Sequence, residues 1–267
     1  DAVREGLDDG LALGSVHVNE VRFAELLVER FEAMEQVRFT NSGTESNLLA
    51  LAAAIHHTGR RKIVVFVNGY HGGVLTFGGG DNPVNVPHKW VICRYNDLAD
   101  VSSAFDEHGA DIAAILVEPM QGSGGCIAGT PPFLSGLRDL CDTYGSLLIF
   151  DEVMTSRFST GGAQGLLGIR PDLTTLGKYL AGGLTFGAFG GRADVMRHFD
   201  PAAGGLLGHA GTFNNNVLSM AAGVATLAEV LTEDVLRTTH ERGDRLRVSM
   251  NQTFEANGLA MHASGVG

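Results

Sequence analysis

The chain has few of the features that mark secreted, membrane or nucleic-acid-binding proteins. Its 267 residues include 3 cysteines, and 19 Lys and Arg residues are outnumbered by 30 Asp and Glu residues, for a formal net charge of −11. Cys93, Cys126 and Cys141 cannot all pair and have no C-x-x-C spacing, which argues against a disulfide framework or a zinc site. The acidic excess argues against nucleic acid or an anionic membrane as the main partner.

Long apolar runs are also missing. The sequence has no stretch of about eighteen apolar residues and no pattern of a signal peptide at its start. We therefore expect a soluble protein in the reducing environment of the cytoplasm. In contrast, the 37 glycines outnumber the 7 prolines, which predicts many tight turns and places where the backbone approaches a ligand closely.

Seven short apolar or β-branched runs predict strands. Several are apolar throughout, as expected of strands buried on both faces of a parallel sheet. Helical stretches alternate with them, so the sequence predicts the α/β class, with a mostly parallel central sheet and flanking helices. The predicted strands are Val37–Thr40, Lys62–Val67, Trp90–Arg94, Ile112–Val117, Leu147–Phe150, Leu173–Leu176 and Phe186–Gly190.

Helices are predicted between these strands and at the end of the chain. The clearest are Glu45–His57, Leu98–His108 and Pro131–Tyr144, the last of which opens with prolines and ends before Gly145. From Asn214 to about Ala256 the pattern is helical, with no strong strand signal. We expect residues 1–232 to form a large domain and residues 233–267 to begin a smaller one.

A carboxylate and a lysine follow two of the predicted strands. Asp151 ends the apolar run at Leu147, and Lys178 follows the run at Leu173 beside Gly177. A charge at the end of a buried strand is costly unless it meets a partner. A protonated pyridine nitrogen is such a partner for Asp151, and the Lys178 amine can form an imine with an aldehyde, so the pair indicates pyridoxal phosphate.

The residues beside Asp151 have different predicted roles. Alternation along an extended chain turns Glu152 to the opposite face, where a structural role is more plausible. Val153 returns to the face of Asp151 and could pack on the ring of the cofactor. Glu118 directly follows the predicted strand Ile112–Val117 and is a further candidate for the lining of the site.

Three glycine-rich or hydroxyl-rich segments add weaker signals. Ser42, Gly43 and Thr44 begin a predicted helix and could bind a phosphate, although such residues are also ordinary caps. Tyr70 follows a strand and could stack on a cofactor ring, or it is simply a loop residue. Thr212 precedes the helix from Val217 and is a second candidate phosphate contact or another cap.

Two nucleotide-binding motifs that the sequence partly matches are incomplete. A P-loop around Lys178 would need Gly where Asp172 stands and Ser or Thr where Tyr179 stands. The segment Gly122–Ile127 lacks the last glycine of G-x-G-x-x-G, so a dinucleotide site has little support. An isolated lysine at a surface turn remains the simplest alternative for Lys178 taken alone.

The order of these segments resembles that of the class III aminotransferases, which are fold-type I pyridoxal phosphate enzymes. Met154 stands where the ω-aminotransferases of this group have Gln and is nearer to glutamate-1-semialdehyde aminomutase. Longer stretches resemble the aromatic β-amino acid (β-phenylalanine) aminotransferases. These stretches are Arg38–Glu45, Gly69–Leu75 and Gly187–Asp194.

The resemblance implies a role for each site residue. Lys178 is similar to the Schiff-base lysine of the family and Asp151 to the partner of the pyridine nitrogen. Thr212 resembles a phosphate contact supplied by a neighbouring subunit, which implies a homodimer. The cofactor-binding set implied in this way comprises Ser42, Gly43, Thr44, Tyr70, His71, Asp151, Val153, Met154, Lys178 and Thr212.

The resemblance also implies the reaction. The expected substrates are a small amino acid, an aromatic β-amino acid in particular, and a 2-oxo acid such as 2-oxoglutarate or pyruvate. An aminomutase that returns the amino group to the same molecule is the alternative. The arginines that hold the substrate carboxylate in the family have no counterpart here, so we expect an N-terminal segment and most of the small domain to be missing from this chain.

Overall fold

The computed structural model describes residues 1–267 as nine α-helices and nine strands. A short π-helix, Thr226–Val230, follows the eighth α-helix. The helices are α1 Ala2–Asp8, α2 Val18–Arg30, α3 Gly43–Thr58, α4 Leu98–His108, α5 Pro131–Tyr144, α6 Gly162–Leu167, α7 Ala193–Met196, α8 Val217–Ala225 and α9 Glu233–Ala256. The strands are β1 Gln36–Thr40, β2 Lys62–Phe66, β3 Lys89–Cys93, β4 Ile112–Val117, β5 Met120–Gln121, β6 Ile127–Ala128, β7 Leu147–Asp151, β8 Leu173–Gly177 and β9 Gly187–Gly191.

Seven of the strands form one central sheet in the order β1-β9-β8-β7-β4-β2-β3. The pairs from β8 through β7, β4 and β2 to β3 are parallel. β9 is antiparallel to both of its neighbours, so it alone runs against the other six strands. The predicted α/β class with a mostly parallel sheet is therefore confirmed, and the reversed β9 is a feature that the strand patterns did not reveal.

Helices cover both faces of the sheet. α3 packs on one face, where Leu51 and Ala54 meet Ile63 of β2 and Ile149 of β7. α4 and α5 pack on the other face, where Phe105 meets side chains of alternate strand residues. β4 and β7 are buried along their whole length, which explains why they are apolar on both faces.

The predicted elements agree with the structure at most of their bounds. All seven predicted strands are present, and the helices α4 and α5 have the predicted ends. The predicted helical segment from Asn214 is divided into α8, the π-helix and α9. Only Leu236 of α9 is buried, and the division into two domains at residue 232 stays a prediction.

No helix combines the length and the apolar character needed to cross a membrane. The three cysteines are free. Burial raises the pKa of the Cys93 thiol to about 12 and also raises that of Cys141. Both buried cysteines therefore remain protonated and act as small apolar side chains in the core.

Candidate active site

Five predicted site segments lie at the same edge of the central sheet. Each lies at or just after the carboxyl end of a strand that runs in the common direction, where α/β sheets bind ligands. Ser42 follows β1, Tyr70 follows β2, Glu118 follows β4, Asp151 ends β7 and Lys178 follows β8. The fold thus brings together residues that are far apart in the sequence.

A cavity of about 300 Å³ lies at this edge and collects most of the predicted residues. It contains eight of the ten residues of the predicted cofactor-binding set, and Ser42 and Thr212 are the two that do not line it. The lining residues are Gly43, Thr44, Asn47, Tyr70, His71, Gly72, Glu118, Gly122, Ser123, Asp151, Val153, Met154 and Lys178.

Asp151 is 4% exposed and is held by three hydrogen bonds. Its Oδ2 accepts from His71 Nδ1 at 2.8 Å and from Asn47 Nδ2 at 2.9 Å. Its Oδ1 accepts from the backbone N–H of Val153 at 3.0 Å. The donor Val153 is two residues away in the sequence, whereas the other two donors belong to α3 and to the loop after β2. The carboxylate is therefore held by three separate segments of the chain.

Lys178 begins a single turn of 3₁₀-helix directly after β8 and has a left-handed backbone, with φ of 54°. That conformation costs of order 1–3 kcal/mol for a residue with a side chain and is commonest at functional sites. The other lysines of the chain are Lys62, which pairs with Asp111, and Lys89. Both begin strands, at the opposite end of the sheet, so only Lys178 offers an amine to the cavity.

The start of α3 forms the second wall of the cavity. Ser42 is the N-cap, and its Oγ accepts from the Glu45 N–H at 3.3 Å, so the hydroxyl acts as an ordinary cap. Gly43 and Thr44 are the first residues of the helix, and the first N–H groups of a helix have no partner within it. These N–H groups and the positive end of the helix dipole favour an anion in the cavity.

The loop after β2 carries Tyr70 and is packed tightly against α3. A Cβ at Gly72, which has φ of 127°, would lie 2.1 Å from Thr44 Oγ1, so only glycine fits there. The Tyr70 N–H donates to Glu118 Oε1 at 2.9 Å, and the Tyr70 side chain is 45% exposed at the mouth of the cavity. The ring is therefore free to contact a ligand.

Glu118 connects this loop to the turn after β5. Its Oε2 accepts from the Gly122 N–H at 3.0 Å, while its Oε1 accepts from Tyr70. Burial raises the pKa of the Glu118 carboxyl, and the two backbone donors oppose that rise. The carboxylate thus joins two segments that both line the cavity.

Glu152 faces away from the cavity, in agreement with the structural role expected for it. Its carboxylate is fully buried and accepts from the N–H groups of Ala163 and Gln164 at 2.7 and 2.9 Å. Burial raises the pKa of this carboxyl and these donors oppose the rise. Val153 and Met154 are on the side of Asp151 and line the cavity, as expected for Val153 from alternation along the chain.

Thr212 lies elsewhere, in the loop before α8. It is exposed and lines a separate, open cavity of about 1360 Å³, together with α2 and the segment before it. The loop is anchored at His209, which accepts from Arg38 Nε at 2.9 Å, and at Asn214, which accepts from Asn41 Nδ2 at 2.7 Å. The structure therefore does not bring Thr212 into the cavity of its own chain.

The sequence patterns did not identify Asn47 as a site residue. It lies in the second turn of α3, is 1% exposed and contacts Asp151 directly. The sequence did contain a signal for it. Asn47 lies four residues after Gly43 and three after Thr44, and residues at these spacings share one face of a helix. His71 was predicted to bind the cofactor, and the structure shows it bonded to Asp151.

Comparisons with known proteins agree with the fold. The family model described as Aminotransferase class-III matches residues 83–262. A "Beta-phenylalanine transaminase" of Variovorax paradoxus is 53% identical over 267 residues, which are 100% of this chain and 61% of the relative. A "Glutamate-1-semialdehyde 2,1-aminomutase" of Bordetella avium is 43% identical over 282 residues, covering 100% of this chain and 65% of the relative.

The fold itself also matches a solved structure. A β-phenylalanine aminotransferase structure from Variovorax paradoxus superposes with a TM-score of 0.97 and 53% sequence identity. The match covers 100% of this chain and 62% of that chain. The chain thus spans less than two thirds of the length of the relatives that it matches.

Proposed function

The chain belongs to the class III aminotransferases, which are pyridoxal phosphate enzymes, and we propose that it transfers the amino group of an aromatic β-amino acid to a 2-oxo acid. The observation that carries this proposal is the convergence of Lys178, Asp151 and the start of α3 on one cavity. The 53% identity with a β-phenylalanine transaminase supports the choice of the amino donor. We propose 2-oxoglutarate or pyruvate as the acceptor.

The residues of the cavity fit pyridoxal phosphate. The N–H groups of Gly43 and Thr44 at the start of α3 suit its phosphate. The buried carboxylate of Asp151 suits a protonated ring nitrogen, and the amine of Lys178 suits the aldehyde. The exposed ring of Tyr70 at the mouth is suited to stacking on the cofactor ring.

The cofactor, when bound, supplies an aldehyde that takes up the substrate amine and a ring that withdraws electrons from the bond to be broken. Lys178 would hold the cofactor through Nζ. The same Nζ would then act as a general base that takes the proton from the amine-bearing carbon, which is Cβ in a β-amino acid. The turn of 3₁₀-helix after β8 fixes the backbone from which the Lys178 side chain reaches the cavity.

Asp151 would accept a hydrogen bond from the ring nitrogen and keep that nitrogen protonated. The buried setting of its carboxylate strengthens such a contact, because competing water is excluded. Val153, which packs beside Asp151, would contact the face of the ring. Together these residues would hold the ring of the cofactor in one orientation relative to Lys178.

We also propose that the protein is a homodimer in which Thr212 completes the phosphate site of the neighbouring subunit. The position of Thr212 outside its own cavity supports this assignment. Leu13, Val16 and Val21, which line the larger cavity with it, are between 48% and 69% exposed, as in surfaces that bind a partner. The three free cysteines support the cytoplasmic location that we propose.

The direct test is to incubate the purified protein with pyridoxal phosphate, 3-amino-3-phenylpropanoate and 2-oxoglutarate. We expect glutamate to accumulate, with no accumulation in the Lys178→Ala variant. If the protein binds the cofactor at Lys178 but forms no glutamate or alanine from either oxo acid, the proposed transfer is wrong.

An aminomutase is the second candidate. The 43% identity with a glutamate-1-semialdehyde aminomutase and the presence of Met154 in the cavity favour it. An aminomutase would convert glutamate-1-semialdehyde to its isomer 5-aminolevulinate without any 2-oxo acid. Product formed without an acceptor would identify this activity, whereas strict dependence on the acceptor would exclude it.

A further inference from the structure

The side chain of Asn47 is engaged on every polar atom. Its Nδ2 donates to Asp151 Oδ2 and to the backbone carbonyl of His71, both at 2.9 Å. Its Oδ1 accepts from Thr175 Oγ1 at 2.7 Å. Because the carbonyl and the carboxylate can only accept, the nitrogen of the amide must face them, and the orientation of the amide is unambiguous.

These contacts join three separate elements to Asp151. Asn47 is on α3, Thr175 is in β8, and His71 is in the loop after β2. His71 adds its own hydrogen bond to the same Oδ2 of Asp151 at 2.8 Å and is 3% exposed. Since the ring nitrogen that faces the carboxylate carries the proton, the Nδ1 of His71 is a donor here.

The hydrogen bonds are divided unequally between the two oxygens of Asp151. Oδ2 accepts from both Asn47 and His71, whereas Oδ1 accepts only from the N–H of Val153. A carboxylate has about four acceptor positions, two on each oxygen. The remaining acceptor position is therefore on Oδ1, and the carboxylate cannot rotate without breaking both bonds to Oδ2.

We propose that Asn47 is a positioning residue that, with His71, locks Asp151 so that Oδ1 is left to receive the ring nitrogen of the cofactor. The inference deepens the proposed function and rests on it. A competing interpretation is that Asn47 only ties α3 to the sheet. The two interpretations differ in whether the loss of Asn47 changes Asp151 or only the stability of the fold.

The test compares Asn47→Ala with Ser46→Ala in the purified protein. Ser46 is the neighbouring residue on α3, is fully buried and is hydrogen-bonded to Thr40 and to the carbonyl of Leu176, but it makes no hydrogen bond to Asp151. Thr175→Val is a second variant, which keeps Asn47 but removes the hydroxyl that orients it. It provides the same test if Asn47→Ala does not fold.

Two readouts are independent of turnover. In the protein without cofactor, we expect the His71 Nδ1–H proton, which donates to Asp151, to give a downfield NMR resonance that is identified by its loss in His71→Gln. We expect this resonance to shift or broaden in Asn47→Ala and in Thr175→Val, and to be unchanged in Ser46→Ala. We also expect the dissociation constant for pyridoxal phosphate to rise about tenfold or more in Asn47→Ala, as for one lost hydrogen bond to a charged group.

The proposal is overturned if Asn47→Ala changes only the melting temperature, as Ser46→Ala does, and leaves both the His71 resonance and the dissociation constant unchanged. It is also overturned if Ser46→Ala perturbs these readouts equally. Failure of the proposed function has a different signature, because the unmodified protein would then show no binding of pyridoxal phosphate that depends on Lys178.

Discussion

The two cavities of this protein differ in size and in chemistry. The smaller one, of about 300 Å³, is lined by residues from five strand ends and contains Lys178, Asp151 and Glu118. The larger one, of about 1360 Å³, is open, lies beside α2 and contains Thr212 but none of these three. Convergence of side chains with complementary chemistry, and not volume, therefore distinguishes the candidate active site.

We expect the largest loss of activity for Lys178→Ala, in the smaller cavity. Because the other lysines, Lys62 and Lys89, lie at the opposite end of the sheet, no other amine can replace it. We expect complete loss of the absorption band of the lysine-bound cofactor and loss of turnover. Borohydride reduction followed by peptide mass spectrometry should locate the cofactor on Lys178. Lys89→Ala is the matched control, and a label on Lys62 or Lys89 would contradict the assignment.

The next largest effect is expected for Asp151→Asn. The amide cannot stabilise a protonated ring nitrogen, and its NH₂ group would face the donors of Asn47 or His71 or the Val153 N–H. We expect turnover to fall about 150- to 5000-fold, equivalent to the ~3–5 kcal/mol lost when one partner of a buried ion pair is removed. Steady-state kinetics measure this loss. A Glu152→Gln variant with an equal loss would show that burial, and not contact with the ring, explains the effect.

A smaller effect is expected for Thr212→Ala, in the larger cavity. Thr212 is exposed and makes no hydrogen bond within its chain, so the melting temperature should not change. If Thr212 binds the phosphate of a neighbouring subunit, the dissociation constant for pyridoxal phosphate should rise about tenfold. Titration by absorbance measures it. An unchanged dissociation constant in the oligomeric protein would remove Thr212 from the site.

The smallest effect is expected for Glu118, whose ionisation makes the free energy of unfolding depend on pH. Burial raises the pKa of this carboxyl in the folded protein above its ordinary value of 4.5, so the folded state binds more protons than the unfolded state as the pH rises past that value. The contribution of Glu118 to stability is thus present below pH 4.5 and is lost as the pH rises through the raised pKa. Glu118→Gln cannot ionise at this position.

The measurement is the free energy of unfolding of both proteins between pH 4 and pH 7. We expect the wild type to lose stability relative to Glu118→Gln across this range, whatever their difference at pH 4. A difference that stays constant, or one that grows in favour of the wild type, would contradict the raised pKa of Glu118.

Most of the sheet could be predicted from the sequence because its strands are buried on both faces and read as apolar runs. The direction of β9 could not, because an antiparallel strand in a buried sheet has the same composition as a parallel one. α2 was not predicted either. Its buried Phe23 and Leu27 lie four residues apart, the spacing of one face of a helix, so the sequence did contain a signal for it.

The site could be predicted in part for a similar reason. Asp151 and Lys178 follow strands in the sequence, and the ends of parallel strands meet at one edge of the sheet. Asn47 contacts Asp151 across 104 residues of sequence, and no local pattern encodes that distance. The hydroxyl of Ser42 accepts the cap hydrogen bond of α3, and its contact with a phosphate stays a prediction.

The left-handed backbone at Lys178 has a consequence for how this protein can evolve. Glycine adopts that conformation without a steric penalty, so the fold alone would favour glycine at this position. A lysine at this position makes the free energy of unfolding smaller than it would be with glycine. Selection for stability alone would therefore remove the lysine. The position therefore marks a trade-off between stability and activity, in which the benefit of the amine must exceed the strain of its own backbone.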